Sequence, residues 1–211
     1  MTKSAIKPAP RAAPSVRARA SALPPVERRA VIVEATVALL LSDGSGVTTR
    51  QIAKAAGIAE GTIFRVFPDK ETLIHAAIET AFDPDPSAFA LAAIDPNLPL
   101  HDRLVAAVEI LRLRVTIIWK LMTAVGMTRP PAGADAAVDP RTRSDVQALA
   151  KVFDPDSQYL RREPMEAALL LRGLTFAGTH PALIADEPLP SSEIVSLLLD
   201  GIRNLAGDLP C

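Results

Sequence analysis

Apolar positions along this chain recur every three to four residues and nowhere alternate as a strand would over any length. From Arg28 to Val47, Ile32, Ala35, Leu39 and Leu40 fall at core spacing on an amphipathic helix, and a loop containing Gly44 and Gly46 follows. Thr48 and Gln51 have the spacing of a capping box, so a second helix starts there. Ile52, Ala53, Ala55 and Ala56 give it a small apolar face, and Gly57 can supply the positive φ that ends it. Ile58, Ile63 and Phe67 then bury one side of a third element, leaving Gly61, Thr62 and Arg65 for solvent. A fourth helix begins near Asp69 and runs through Ile74, Ala77, Ile78 and Ala81 until the prolines of Asp83–Pro86 stop it.

Leu100 to Gly126 reads as one long helix. Asp102, Glu109, Arg112, Thr116 and Lys120 share one side, and Leu104, Val108, Leu111, Val115, Ile118, Trp119 and Met122 the other. Arg114 falls at the apolar edge, among Ala107, Ile110 and Leu121. So apolar a wheel predicts a helix enclosed by neighbours. Thr128 to Pro140 is a loop by its prolines and small residues. Three further helical patterns lie near 141–153, 163–179 and 191–206, with Pro164 suited to a first turn and Ser191 or Ser192 to a cap. The last two are apolar over wide arcs, which fits either a monomer core or a helix pair that packs on its symmetry mate. Gly173 and Gly178 each cost roughly 1 kcal/mol of helix propensity, so close backbone approach at a helix crossing is expected there.

The run TTRQIAKAAGIAEGTIFRVFPDKETL, from Thr48 to Leu73, has the anatomy of a helix-turn-helix whose second helix enters a DNA major groove. With the helix from Arg28 ahead of it, the stretch to Ile74 closely resembles the N-terminal domain of TetR-type transcriptional repressors. The matching elements are the first helix's apolar set, TTRQIA, the AAG turn, GTIF, the position of Phe67 and the DKETL start of the next helix. Two departures stand out. Ala59 sits where the family usually has a capping serine, a loss on the order of 1 kcal/mol that Glu60 near the helix end partly offsets. Phe64 sits where the family usually has a phosphate-binding tyrosine, and Arg65, where many relatives have histidine, offers a permanent charge instead.

The resemblance implies an all-α fold: a three-helix helix-turn-helix domain over residues 26–74, then a helical effector-binding and dimerisation domain over 75–207. It implies a homodimer formed through the helices near 163–179 and 191–206, reading a palindromic operator. Thr48 and Thr49 would clamp phosphates at a helix N-terminus, and Arg50 would pair bidentately with a guanine. Gly61 would let the backbone approach DNA while Thr62, Phe64 and Arg65 touch it, and Lys70 would reach a phosphate.

Charge adds to this picture. Residues 1–75 hold 11 Lys and Arg against 6 Asp and Glu, whereas 76–211 hold 12 against 18, so the basic balance lies with the helix-turn-helix. Residues 1–25 are rich in Ala, Pro and basic side chains, and read either as a disordered tail or as an arm lying along DNA. They lack the apolar block of a secretory signal, and no apolar run is long enough for a membrane span. The only cysteine, Cys211, excludes an internal disulfide and fits a cytoplasmic protein.

Catalysis finds little support. His75, His101 and His180 lie far apart without metal-ligand spacing, no glycine loop would cradle a phosphate, and no cofactor motif is present. A pocket between helices for an unknown small-molecule effector is the better-supported site, with Arg114, Trp119, Met122, Phe153, Thr175 and Phe176 as candidates. Each of these also reads as ordinary core. A burial of Arg114 without a protein partner would favour an anionic or carbonyl-bearing effector. The expected function is a ligand-responsive repressor. The rival readings are a regulator without effector and a helical binding protein or enzyme whose helix-turn-helix is only a packing motif.

Overall fold

The computed structural model describes residues 24–131, 143–184 and 187–202. These form helices α1 (Pro25–Asp43), α2 (Thr49–Ala55), α3 (Glu60–Ile63), α4 (Lys70–Phe82), α5 (Asp85–Ala92), α6 (Leu100–Ala124), α7 (Ser144–Phe153), α8 (Pro164–Thr179) and α9 (Ser191–Ile202). Among the described residues there is no strand, and the fold is all-α. The N-terminal tail up to residue 23, residues 132–142 of the central loop and the end of the last helical pattern past 202 lie outside the described residues.

Two apolar cores organise the chain. The first is built by Ile32, Val33 and Leu40 of α1, Ile52 of α2, Ile63 and Phe67 around α3, and Leu73 and Ala77 of α4. Leu121 from the far end of α6 completes it. The second joins α5 to α9, around Leu104 and Val108 of α6, Phe153 of α7, Leu171 of α8 and Ile194 and Leu198 of α9. The 25 residues of α6 span about 37 Å, so one straight helix reaches both cores. α4 runs unbroken from the first core across positions 74 and 75 to Phe82.

Local chemistry sets the helix ends. The Thr48 hydroxyl accepts the Gln51 N–H while the Gln51 side chain accepts the Thr48 N–H, so the capping box forms as its spacing predicts. Gly57 closes α2 at φ 68°. A Cβ there would meet nothing within 4 Å, so the left-handed backbone alone decides the effect of a substitution. Gly57→Ala is therefore expected to lower stability by about 1–2 kcal/mol, with Gly57→Asn costing less, as read by urea denaturation. Equal stability of both variants and the wild type would contradict this.

Three expectations need correcting. Asp83–Pro86 does end α4, but the same residues open α5, a helix the apolar pattern did not reveal. Pro86 lies in the first turn, where no N–H is required, and the Asp83 carboxylate accepts the Asp85 N–H at 3.0 Å. Gly173 approaches no neighbouring group, since a Cβ on it would meet nothing within 4 Å; only Gly178 is crowded, by Ile194 and Leu189 side chains. Ser191 gives its hydroxyl to Glu109 of α6 and accepts from Arg112 at 2.9 Å, tying α9 to α6.

Candidate DNA-binding surface and ligand cavity

The helix-turn-helix is formed. α2 and α3 pack through Ile52, Ala53 and Ile63, while Arg50, Gly61, Phe64 and Arg65 remain exposed and Thr62 is half-buried. α3 itself is short, yet a turn over Phe64, Arg65 and Val66 continues its path, with the Val66 and Phe67 N–H groups both donating to the Ile63 carbonyl at 2.9 Å. Ala59 precedes α3 without a side-chain cap. The Thr49 hydroxyl donates to the Glu60 carboxylate at 2.6 Å, joining the N-termini of α2 and α3. That carboxylate takes the hydrogen that Thr49 would offer a phosphate. Lys70 Nζ reaches the Ser45 carbonyl at 3.5 Å, tying the start of α4 to the turn before α2. Behind this surface, the Arg29 guanidinium lies 4.5 Å from the Phe67 ring centroid and Phe67 is fully buried.

Asp69 caps α4 by accepting the Thr72 N–H at 2.7 Å. The Thr72 backbone and side-chain hydrogen bonds hold its carboxyl below the usual carboxylate range. The stabilising contribution of this cap is present above the ordinary Asp pKa and is lost as pH falls through the lowered one.

A cavity of about 570 Å³ opens between α4, α6, α7 and α8. That lies inside the range of about 300–1,000 Å³ usual for small-molecule sites. Its apolar wall comes largely from α6, where Val115, Ile118, Trp119 and Met122 are only half-buried. Among the described residues the apolar wheel of α6 is thus not closed along this stretch. The His180 ring lies between Trp119 and Phe176, with centroid distances of 4.3 and 4.7 Å. Gly173 leaves space on the α8 side.

Five of the six residues named as ligand candidates line this cavity: Arg114, Trp119, Met122, Thr175 and Phe176. Phe153 does not; it is fully buried in the second core. Its apolar periodicity cannot distinguish a cavity wall from a filled interior. The Thr175 hydroxyl is turned to its own helix, donating to the Leu171 carbonyl at 2.8 Å.

Arg114 does not run out to solvent. Its guanidinium donates to the Phe82 carbonyl at 2.7 Å, the Asp83 carbonyl at 2.8 Å and the Ser87 hydroxyl at 3.4 Å, and lies 3.7 Å from Asp145. It joins the end of α4 and the start of α5 to the buried carboxylate of α7, so it is fully partnered. Arg143 takes the same carboxylate in a two-point pair at 3.1 and 3.3 Å. Sequence reasoning missed Phe82, Arg143, Asp145, Arg172 and His180 as lining residues. One available signal was the spacing of Arg172, three and four positions before Thr175 and Phe176 on the same helix. The acid–base pairs had no such signal.

Among the described residues no helix is long and apolar enough to cross a membrane, and no three His, Cys, Asp or Glu side chains gather as a metal site.

An exposed helix-turn-helix on a small core is thus continued by further helices around a second core and a cavity. Residues 32–77 match the model of the bacterial regulatory proteins of the tetR family. Over 55 residues the chain is 44% identical to the nucleoid occlusion factor SlmA of Marinobacter nauticus, a stretch covering 26% of this chain and 28% of that protein. It is 40% identical over 55 residues to SlmA of Actinobacillus pleuropneumoniae, covering 25% of this chain and 27% of that one. The chain thus spans little more than a quarter of the length of the curated relatives it matches.

Solved structures extend the likeness in fold alone. A transcriptional regulator from Cytophaga hutchinsonii superposes with a TM-score of 0.62 at 19% identity, covering 83% of this chain and 98% of that one. Reduced NemR from E. coli does so with a TM-score of 0.57 at 18% identity, covering 83% and 98%.

Proposed function

We propose that the protein is a sequence-specific DNA-binding transcriptional regulator of the cytoplasm, a repressor that releases a palindromic operator when a small molecule fills the cavity. The observation that carries this reading is the formed helix-turn-helix with Arg50 and Arg65 exposed above a packed core. Arg50 reads a guanine, while Arg65 and Lys70 hold phosphates. Thr48 and Thr49 present the α2 N-terminus to the backbone, Thr49 exchanging Glu60 for a phosphate oxygen. Gly61, Thr62 and Phe64 make the close contacts of the groove.

Two copies associate through α8 and α9, which leave Leu170 and Leu197 exposed. A two-fold pair then reads two related half-sites. The domains taken as 26–74 and 75–207 are coupled where Arg114 joins the cavity to the end of α4. A ligand favours the domain geometry in which the two recognition helices no longer fit successive grooves, and operator and ligand weaken each other by the same factor.

The test is fluorescence anisotropy with DNA from upstream of the protein's own gene, at two salt concentrations. Arg50→Ala should lose about ten- to a hundred-fold in affinity and relax specificity at one base pair. Arg65→Ala should weaken binding on all sequences and reduce the salt slope by about one. Weak binding, equal on random DNA and unchanged in both variants, would refute the reading.

A further inference from the structure

Resting on the cavity as the effector site, we infer that its ligand is an amphipathic organic anion: an aromatic or extended apolar body with one carboxylate-like group that pairs with Arg172. The described lining residues carry Arg114, Arg143 and Arg172 against a single acid, Asp145. Asp145 is 2% exposed and its charge is already engaged by Arg143, by Arg114 and by the Val146 N–H at 3.0 Å. Among the described residues a cationic ligand would find no available carboxylate there and would meet surplus positive charge in a partly water-excluded space. The aromatic residues alone would admit a cation; the charge around them opposes it.

Arg172 differs from the other two arginines. It lines the cavity, is half-buried, and makes no hydrogen bond or ion pair with any described residue. A planar guanidinium so placed suits a two-point bond to a carboxylate. Its neighbour Gly173 leaves open space beside it, since a Cβ there would meet nothing within 4 Å. His180 adds a second donor. Its Nδ1 accepts the Ala182 N–H at 3.3 Å, which leaves the proton of the neutral ring on Nε2, with no acceptor among the described residues. Arg172 and His180 thus both offer donors to the cavity. The wall formed by Val115, Ile118, Trp119 and Met122 takes the apolar body.

Three matched probes separate the possibilities: 4-phenylbutyrate, 4-phenylbutyramide and 4-phenylbutylammonium, titrated into the full chain and into Arg172→Gln. Trp119 is the chain's single tryptophan and lines the cavity, so its fluorescence reports occupancy directly. The acid should bind about ten-fold tighter than the amide, with the ammonium weakest. Arg172→Gln should bring the acid down to the amide and leave the amide unmoved, while operator affinity without ligand stays that of the wild type. Equal binding of acid and amide, or an acid preference that survives in Arg172→Gln, overturns the inference and leaves the cavity as a ligand site. Silence of Trp119 to all three probes at millimolar concentration overturns the inference and the cavity reading together.

Discussion

Arg114→Met is expected to lower stability by about 2–4 kcal/mol and, in the folded protein, to uncouple ligand binding from operator binding. The guanidinium is largely buried, and methionine replaces most of its stem while removing every donor. The Phe82 and Asp83 carbonyls at the end of α4 then lose the partners that hold them at 2.7 and 2.8 Å. Asp145 keeps its two-point pair with Arg143, which limits the cost of the carboxylate left behind. The functional consequence follows from position: Arg114 is the lining residue that grips the last turn of α4, and α4 is part of the core beneath the helix-turn-helix. Urea denaturation reads the first effect. Operator titrations with and without 4-phenylbutyrate read the second, as a coupling factor that falls to one. A destabilised variant with the wild-type coupling factor would make Arg114 a structural tie and nothing more.

Arg103→Met is expected to cost about 3–5 kcal/mol without touching either candidate site directly. Arg103 is 3% exposed near the start of α6. Its guanidinium donates to the Pro96 carbonyl at 3.2 Å, the Leu98 carbonyl at 2.5 Å and the Val152 carbonyl at 3.2 Å, and pairs with Asp156. One side chain thus satisfies three backbone acceptors where the α5–α6 loop, α6 and the end of α7 meet. Truncation orphans them together, and a network of this kind costs more than its separate bonds. For a chain of this length the loss corresponds to a fall of roughly 6–20 °C in Tm. Arg103→Lys should recover only part of it, because an ammonium cannot reproduce the planar fork. A Tm within a degree or two of the wild type for Arg103→Met would contradict the network.

The uneven legibility of the molecule has a physical cause. Helix-turn-helix chemistry is local: Thr48 with Gln51 and the left-handed turn at Gly57 each act within a few residues, so their spacing is enough to read them. Apolar periodicity likewise located α1, α4, α6, α7, α8 and α9, because a buried stripe must recur with the helix period. It missed α5, whose proline-bounded start reads as a stop, and it could not tell Phe153 in a filled core from Trp119 on a cavity wall.

By itself, then, the order of residues determined helices through the described residues, an N-terminal stretch similar to the tetR family and the side chains it exposes. Only the tertiary structure decided what the charges do. Arg103 and Asp156 are 53 positions apart, and Arg114 meets carbonyls 31 and 32 positions away. No period links such partners, since they are joined by the packing of separate helices. A cavity is equally invisible along the chain, being space that several helices leave between them, and the same packing leaves Arg172 beside it unpaired among the described residues.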